Sequence, residues 1–332
     1  MSGNSIAYQL RQNKAIERNL FIDLLGRVGR VKNISEYEYI GFGGPFLEDF
    51  KALHSSLRIK RMQSIEMDPN THKRQKFNSP FKFVKLHQTT STQFFSQHQF
   101  SDKGTIIWLD YTDPRHLRPQ LDEFRSVVSN ANYYDIVKIT LNASPAGIPG
   151  KIPEGKTHQE ARLEKLKDTV AEYLPFNASE EDLVPKAYPM LLQECIKQSV
   201  AGLSAGATNR YFQILSSFVY ADGQQMVTVT GIILNASDAK AIKEFKELSR
   251  LSHWPFANLN WNKPTPISVP TLSAKERIKL DSLLPSKSKD QVLINRLRNK
   301  LGYVPGDVTD EVELANYARY YRAFPHFSKV IF

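Results

Sequence analysis

Apolar positions along this chain change period. Between residues 7 and 28 they recur every three or four places, as Leu10, Ile16, Leu20, Phe21, Leu24, Leu25 and Val28. This spacing predicts an amphipathic helix whose basic groups, Arg11, Lys14, Arg18, Arg27 and Arg30, lie mostly in solvent. The pattern then turns into short apolar runs: Tyr37 to Ile40, Met62 to Met67, Phe81 to Leu86, Thr105 to Leu109 and Asp135 to Leu141. These read as buried strands alternating with helices or loops, which implies a parallel sheet with right-handed crossovers. Asp68 is a good N-cap and Pro69 suits a first helical position, so a helix starts there. Further on, Tyr211 to Tyr220 and Met226 to Leu234 flank Ala221-Asp222-Gly223-Gln224. Asp-Gly between two apolar runs predicts a hairpin. The expected fold is α/β: a Rossmann-like, mostly parallel sheet closed by an antiparallel β-hairpin.

Between the fifth strand and the hairpin lies a helical insertion, residues 144–205. It opens with the turn-rich Ser144-Pro145-Ala146-Gly147-Ile148-Pro149-Gly150-Lys151 and continues with helices around 157–174 and 179–202. Its two readings are a lid over the strand tips and a peripheral helical layer. Residues 239–332 read as a small helical C-terminal module, set apart from a main domain at 1–238. Ser273 with Glu276 and Ser288 with Gln291 match the capping-box pattern, Gly302 is placed to end a helix, and Thr309 to cap another. The joining stretch from His253 to Pro270 is rich in proline and aromatics, as a segment packed on the main domain would be.

Composition narrows the class. Of 332 residues, 41% are hydrophobic and 23% charged, ordinary for a soluble globular protein. No apolar run approaches the roughly 20 residues that span a bilayer. Met1-Ser2-Gly3-Asn4-Ser5 lacks the pattern of a signal peptide, and the single Cys195 excludes an internal disulfide and a multi-cysteine metal site. A cytoplasmic protein with no membrane partner is expected. Net charge is +10, and the last 93 residues hold 16 Lys or Arg against 9 Asp or Glu. Such a bias suits nucleic acid as a partner, because neutralised phosphates release counterions; the plainer reading is a solvated basic surface that aids solubility. The run from Tyr317 to Phe327 interleaves aromatics with arginines, for stacking on bases or for packing inward.

The candidate chemistry sits at the strand ends. Gly41-Phe42-Gly43-Gly44 follows the first strand, and Glu66 ends the second about twenty residues later. Glycines let backbone approach a ligand closely, and a carboxylate at the second tip accepts hydrogen bonds from ribose hydroxyls. The two are expected to converge on one sugar-sized hollow. These residues, the strand order and the hairpin resemble the class I S-adenosylmethionine-dependent methyltransferase superfamily over residues 35 to 235, and are similar to bacterial proteins described as O-methyltransferases.

The resemblance implies S-adenosylmethionine as cofactor, Gly41, Gly43 and Gly44 beneath it, and Glu66 on its ribose. Gln88 stands near where the family has an adenine-reading Asp. Asp110, at the fourth tip, falls among active-site and cofactor-contacting residues. Asp110 or Asp113 would orient or deprotonate an acceptor and Tyr111 would stack against it, with His116 and Asn142 toward the substrate. One departure is Tyr39, where the family usually carries an acid two places before the first glycine; the nearest acid is Glu38. The absence of Asn-Pro-Pro-Tyr and Asp-Pro-Pro-Tyr argues against amino-methylating DNA enzymes, and Cys195, inside a predicted helix, against cysteine-adduct chemistry. No metal set is expected. Asp110, Asp113 and Asn142 lack the acid that metal-dependent catechol-type enzymes place beside the asparagine, and the histidines form no metal-spaced pair. The competing reading is a nucleotide-binding protein without catalysis that engages nucleic acid or a protein through its basic module. A nicotinamide enzyme is a third, which the hairpin disfavours.

Overall fold

Strands built of Ile, Val and Leu at nearly every position need cover on both faces. A computed structural model describes residues 11–148, 150, 152–203, 209–287, 290–305 and 312–325. The five runs become β1 (Glu38–Gly41), β2 (Arg61–Ile65), β3 (Val84–His87), β4 (Thr105–Asp110) and β5 (Ile136–Asn142), each paired in parallel. The Asp-Gly hairpin is present as β6 (Arg210–Asp222) and β7 (Gln224–Asn235), with β7 antiparallel to β5. A further strand, β8 (Thr265–Ile267), pairs in parallel with β6. Among the described residues the order is β3-β2-β1-β4-β5-β7-β6-β8, the Rossmann-like sheet with a closing hairpin that the sequence predicts.

β8 lies in the stretch read above as a packed connection. Three residues are too few to show alternation, and Pro266 at their centre argues against a strand. On a sheet edge, however, its missing N–H leaves no ladder bond unmade.

The faces divide cleanly. Helices α1 (Gln12–Val28) and α2 (Glu48–Leu57) bury one face with Tyr39, Met62, Ile106 and Trp108. α3 (Pro69–Asn78) starts with Asp68 as its cap. The short α4 (Ser91–Gln97) and then α5 (Leu117–Asn130), α6 (His158–Val170) and α7 (Tyr188–Val200) cover the other, over Ile40, Ile107, Leu109 and Val137. The insertion is therefore a helical layer on the sheet. Cys195 sits within it, and burial pushes its thiol up to about 12.

α8 (Ala239–Ser249), α9 (Ala274–Asp281), α10 (Asp290–Leu301) and α11 (Val312–Tyr320) contribute Phe245, Leu280, Leu297 and Leu314 to the first face's core. The Ser273 capping box and the left-handed Gly302 are as expected, while Ser288 and Thr309 fall outside the described residues. Tyr317, Tyr320 and Phe324 pack into that core with Arg319 and Arg322 outside, so these three rings are not free to stack on bases.

α1 departs from its expected role. Lys14 and Glu17 lie on its buried stripe, 6% and 1% exposed. The Glu17 carboxylate meets Nζ of Lys138, in the middle of β5, at 2.7 Å. That ammonium lies 3.3 Å from the centroid of Trp108 and 4.2 Å from that of Phe21. Burial lowers the Lys138 pKa, and Glu17 counters it. Arg18 pairs with Asp49 at the start of α2. At the helix N-terminus, Asp222 of the hairpin accepts from the amides of Asn13 (3.2 Å) and Lys14 (2.7 Å). Lys14 and Arg18, expected in solvent, are instead largely buried because each meets a carboxylate from another element.

The turn after β1 is built around Gly43. At φ +67°, a Cβ there would lie 2.6 Å from Leu47 Cδ2, 2.7 Å from Ser64 Oγ and 2.9 Å from Phe50 Cε2. Gln75 of α3 donates to the carbonyls of Phe42 (3.0 Å) and Gly44 (2.9 Å), holding the turn from below.

Two stability measurements follow. Glu17→Ala leaves a buried ammonium without its partner and should cost about 3–5 kcal/mol in urea denaturation, whereas Glu17→Leu with Lys138→Met should recover most of it. Gly43→Ala should cost ~3 kcal/mol from left-handed backbone plus overpacking, and Gly44→Ala, open around its Cβ position, only ~1–2 kcal/mol. Equal losses at the two glycines would contradict the geometry.

Candidate active site

The register of the sheet sets the frame. Gly41 is level with Ser64 on β2 and with Trp108 on β4. Glu66 and Asp110 each stand two residues further on, one on either side of the glycine turn. Two strand spacings put the acids roughly 10 Å apart, and alternation aims both at the face that carries α1 and α2.

The Glu66 Oε1 atom accepts from the Asp68 amide at 2.8 Å. Burial pushes this carboxyl above the ordinary glutamate range, and that hydrogen bond opposes it. Across the turn, Asp110 Oδ2 is 2.8 Å from Lys14 Nζ of α1. Its Oδ1 is buried without a hydrogen-bond partner, an acceptor of the kind that protein interiors rarely leave unused. Tyr111 packs its ring edge-on against Phe42 of the turn, centroids 5.6 Å apart. Its hydroxyl donates to Glu123 of α5, which also accepts from Ser91 and Thr92 at the start of α4. Burial and Glu123 hold the phenol far above its usual range, so it stays protonated.

The other candidates stand apart. Gln88 lines a cavity of about 640 Å³ with Gln63, His87, Gln93, Phe94 and His98, between α4 and the sheet. Neither Glu66 nor the glycines line it, so the hollow expected between them is not this cavity. Asp113 caps a short helical turn, accepting from the Arg115 amide (3.0 Å) and guanidinium (2.6 Å). The Arg115 bonds hold its carboxyl at about 2. His116 Nε2 is 3.9 Å from Asp113 on the same exposed loop. Asn142 donates to Thr112 O (3.1 Å) and Gln224 Oε1 (3.0 Å) and accepts from the Ser144 amide (3.0 Å), fastening the β5 tip to its neighbours. Among the described residues no group of three His, Cys, Asp or Glu side chains is placed to hold a metal.

Reasoning from sequence missed Lys14, Gln75 and Glu123. For Lys14 a signal existed: it precedes Glu17 and Phe21 at helical spacing, so a charged pair shares the apolar stripe. Gln75 and Glu123 carried none, because their roles arise from crossovers that bring distant helices to the turn.

Tyr39 has a packing reason. Its ring is buried edge-on to Phe50 at 4.9 Å and covers Gly41, where a Cβ would lie 2.5 Å from its oxygen. Glu38 points to the opposite face, bound by Gln63 (2.8 Å) and His98 (3.4 Å). β1 therefore sends no carboxylate to the turn.

Among solved structures this chain is similar to the N-methyltransferase NodS from Bradyrhizobium japonicum WM9, at 8% identity over 66% of this chain and 97% of that one, TM-score 0.36. It is also similar to Trm1 from Pyrococcus horikoshii, solved with S-adenosyl-L-methionine, at 13% identity over 70% and 57%, TM-score 0.43. No curated protein matches it. A family model covers nearly the whole sequence: over residues 6–332 the chain matches, and belongs to, the methyltransferase family described as "Putative O-methyltransferase".

Proposed function

We propose that the chain transfers a methyl group from S-adenosylmethionine to an oxygen or nitrogen of its acceptor. The observation that carries this reading is the pair of strand-tip carboxylates flanking a turn that only glycine fits, one of them with a buried, unused oxygen. The residues suit the cofactor. The space above Gly44, open around its Cβ position, admits a ligand against backbone. Glu66 keeps one oxygen clear of the Asp68 bond for ribose hydroxyls, and Gln88 offers an amide near the third strand tip. When bound, the cofactor supplies a methyl already activated by its sulfonium, which leaves to the protein chiefly the alignment of donor and acceptor. Holding reactants in line supplies about 7–11 kcal/mol of a barrier.

The rings of Phe42 and Tyr111 wall the site, and in this reading Tyr111 acts by shape, since its proton is committed to Glu123. Asp113, ionised and bound to Arg115, is given no proton to take. Acceptor orientation falls to Asp110.

Calorimetry with S-adenosylhomocysteine tests the reading. Saturable one-to-one binding is expected, and no binding at millimolar concentration rejects it. Glu66 adds a pH signature. Its ionised form accepts the ribose hydroxyls, so affinity should be constant above its raised pKa and fall as pH drops through it, earlier than for an ordinary glutamate. Glu66→Gln should weaken binding about tenfold at neutral pH, the scale of one charged hydrogen bond, and abolish that pH dependence.

A further inference from the structure

We propose that the methyl acceptor is a single-stranded nucleic acid and that it docks on the outer face of α3, beside the β2 tip. The proposal rests on the methyl-transfer reading and names the substrate class which that reading leaves open. The helix reads Pro69-Asn70-Thr71-His72-Lys73-Arg74-Gln75-Lys76-Phe77-Asn78, with three Lys or Arg and no acid. His72 and Gln75 are buried, whereas Asn70, Lys73, Arg74 and Phe77 are exposed. Those four stand at i, i+3, i+4 and i+7, so they share one stripe along the helix. The Phe77 ring is 92% exposed, and the basic residues Lys73, Arg74 and Lys76 surround it. A ring among cations takes a base on its face and the neighbouring phosphates on its charges. Asn70, at the end nearest the β2 tip, offers an amide to a base edge.

The stripe is fixed relative to the reaction. From the other side of α3, Gln75 donates to the carbonyls of Phe42 and Gly44, and Asn78 to Pro45 O at 2.9 Å. Arg74 lies over the Phe46 ring, 5.1 Å from its centroid. Helix and glycine turn are thus fastened together. Asp68, the cap of α3, is also the residue whose amide binds Glu66. A strand laid along the stripe therefore leads to the carboxylate assigned to the cofactor ribose.

Charge and shape favour this occupant. A net charge of +10 draws polyanions toward the molecule. Phe77 is the single large apolar side chain of α3, and Met67, 70% exposed, precedes a helix about 15 Å long. Two such side chains at opposite ends make no continuous apolar face of the kind that lies in a bilayer. A second basic hollow, lined by Lys243, Lys246, Arg250 and His253, has no Phe, Tyr or Trp in its lining. It lies beyond the end of β7, which runs antiparallel to β5 and finishes at the edge of the sheet opposite the strand tips.

Fluorescence anisotropy on the full chain tests the proposal, with labelled single-stranded DNA and RNA of about 15 nucleotides and mixed sequence as probes. Phe77→Ala should weaken binding about tenfold, the loss of one stacked base. Lys73→Gln with Lys76→Gln should also weaken it, and should flatten the slope of log affinity against log salt by ~1.4, for two phosphates of a single strand. Lys243→Gln with Lys246→Gln removes the same charge from α8 and should leave affinity within about twofold, since no contact on the stripe is lost. Equal losses for the two lysine pairs would mean a diffuse positive field and overturn the inference, as would a Phe77→Ala chain that binds like wild type. Phosphatidylserine vesicles are the rival probe: Phe77-dependent binding to them without binding of either oligonucleotide would assign the stripe to a membrane and overturn it too. Calorimetry with S-adenosylhomocysteine separates the two levels. A wild-type chain that binds it but neither oligonucleotide loses this inference alone. One that binds oligonucleotides but not S-adenosylhomocysteine loses the methyl-transfer reading, and the acceptor role with it.

Discussion

An ammonium and a carboxylate buried together between α1 and the middle of the sheet set the geometry of everything around them. Lys138 is 0% exposed and Glu17 1%, and two aromatic rings complete the enclosure of the ammonium. Such a pair contributes little net stability against an apolar substitute, but it tolerates almost no misplacement, because a shift by one helical residue would leave two desolvated charges apart. Register is what it supplies. With Glu17 fixed over β5, the residue one turn earlier is fixed over the β4 tip, and the residue after it faces the start of α2. The three ion pairs Lys138–Glu17, Lys14–Asp110 and Arg18–Asp49 are thus one interaction repeated along one helix face.

Most of the fold was legible because its determinants are local. The period of apolar residues located β1 to β5 to within a few residues, Asp-Gly gave the hairpin, and Asp68-Pro69 gave the start of α3. β8 was not legible, being three residues long with a proline at its centre and held by its neighbour β6 rather than by any pattern of its own. The site was legible only in outline. Glycines and strand-tip acids can be seen in a sequence because their backbone positions follow from the elements they end. What each tip side chain binds cannot, since its partner comes from far along the chain: Lys14 for Asp110, Gln224 for Asn142. Asp113 is the exception, as its partner Arg115 is two residues away.

Asp222 shows how a single residue serves two levels. In the sequence it is half of an Asp-Gly turn. In the fold, its carboxylate takes two amides at the start of α1, where the helix has no side-chain cap of its own. Burial raises this carboxyl and the amides of Lys14 and Asn13 pull it back. The closing hairpin, which distinguishes this sheet from a dinucleotide-binding one, is therefore also what holds the helix that supplies Lys14.

That position 39 carries an aromatic ring and no acid follows from the same packing. An acid at position 39 would stand where the tyrosine ring now fills the space beside Phe50, with Leu47 and Met62 in the same core. A carboxylate there would be desolvated within that apolar core, a cost of several kcal/mol. At position 110 the same charge lies at a strand tip beside Lys14, with one oxygen neutralised and the other left as an acceptor. The core thus closes over β1 while negative charge stands at the β4 tip, where a helix from outside the sheet delivers the compensating cation. The charged stripe of α1 is that provision, and it ties the shape of the site to the docking of the helix.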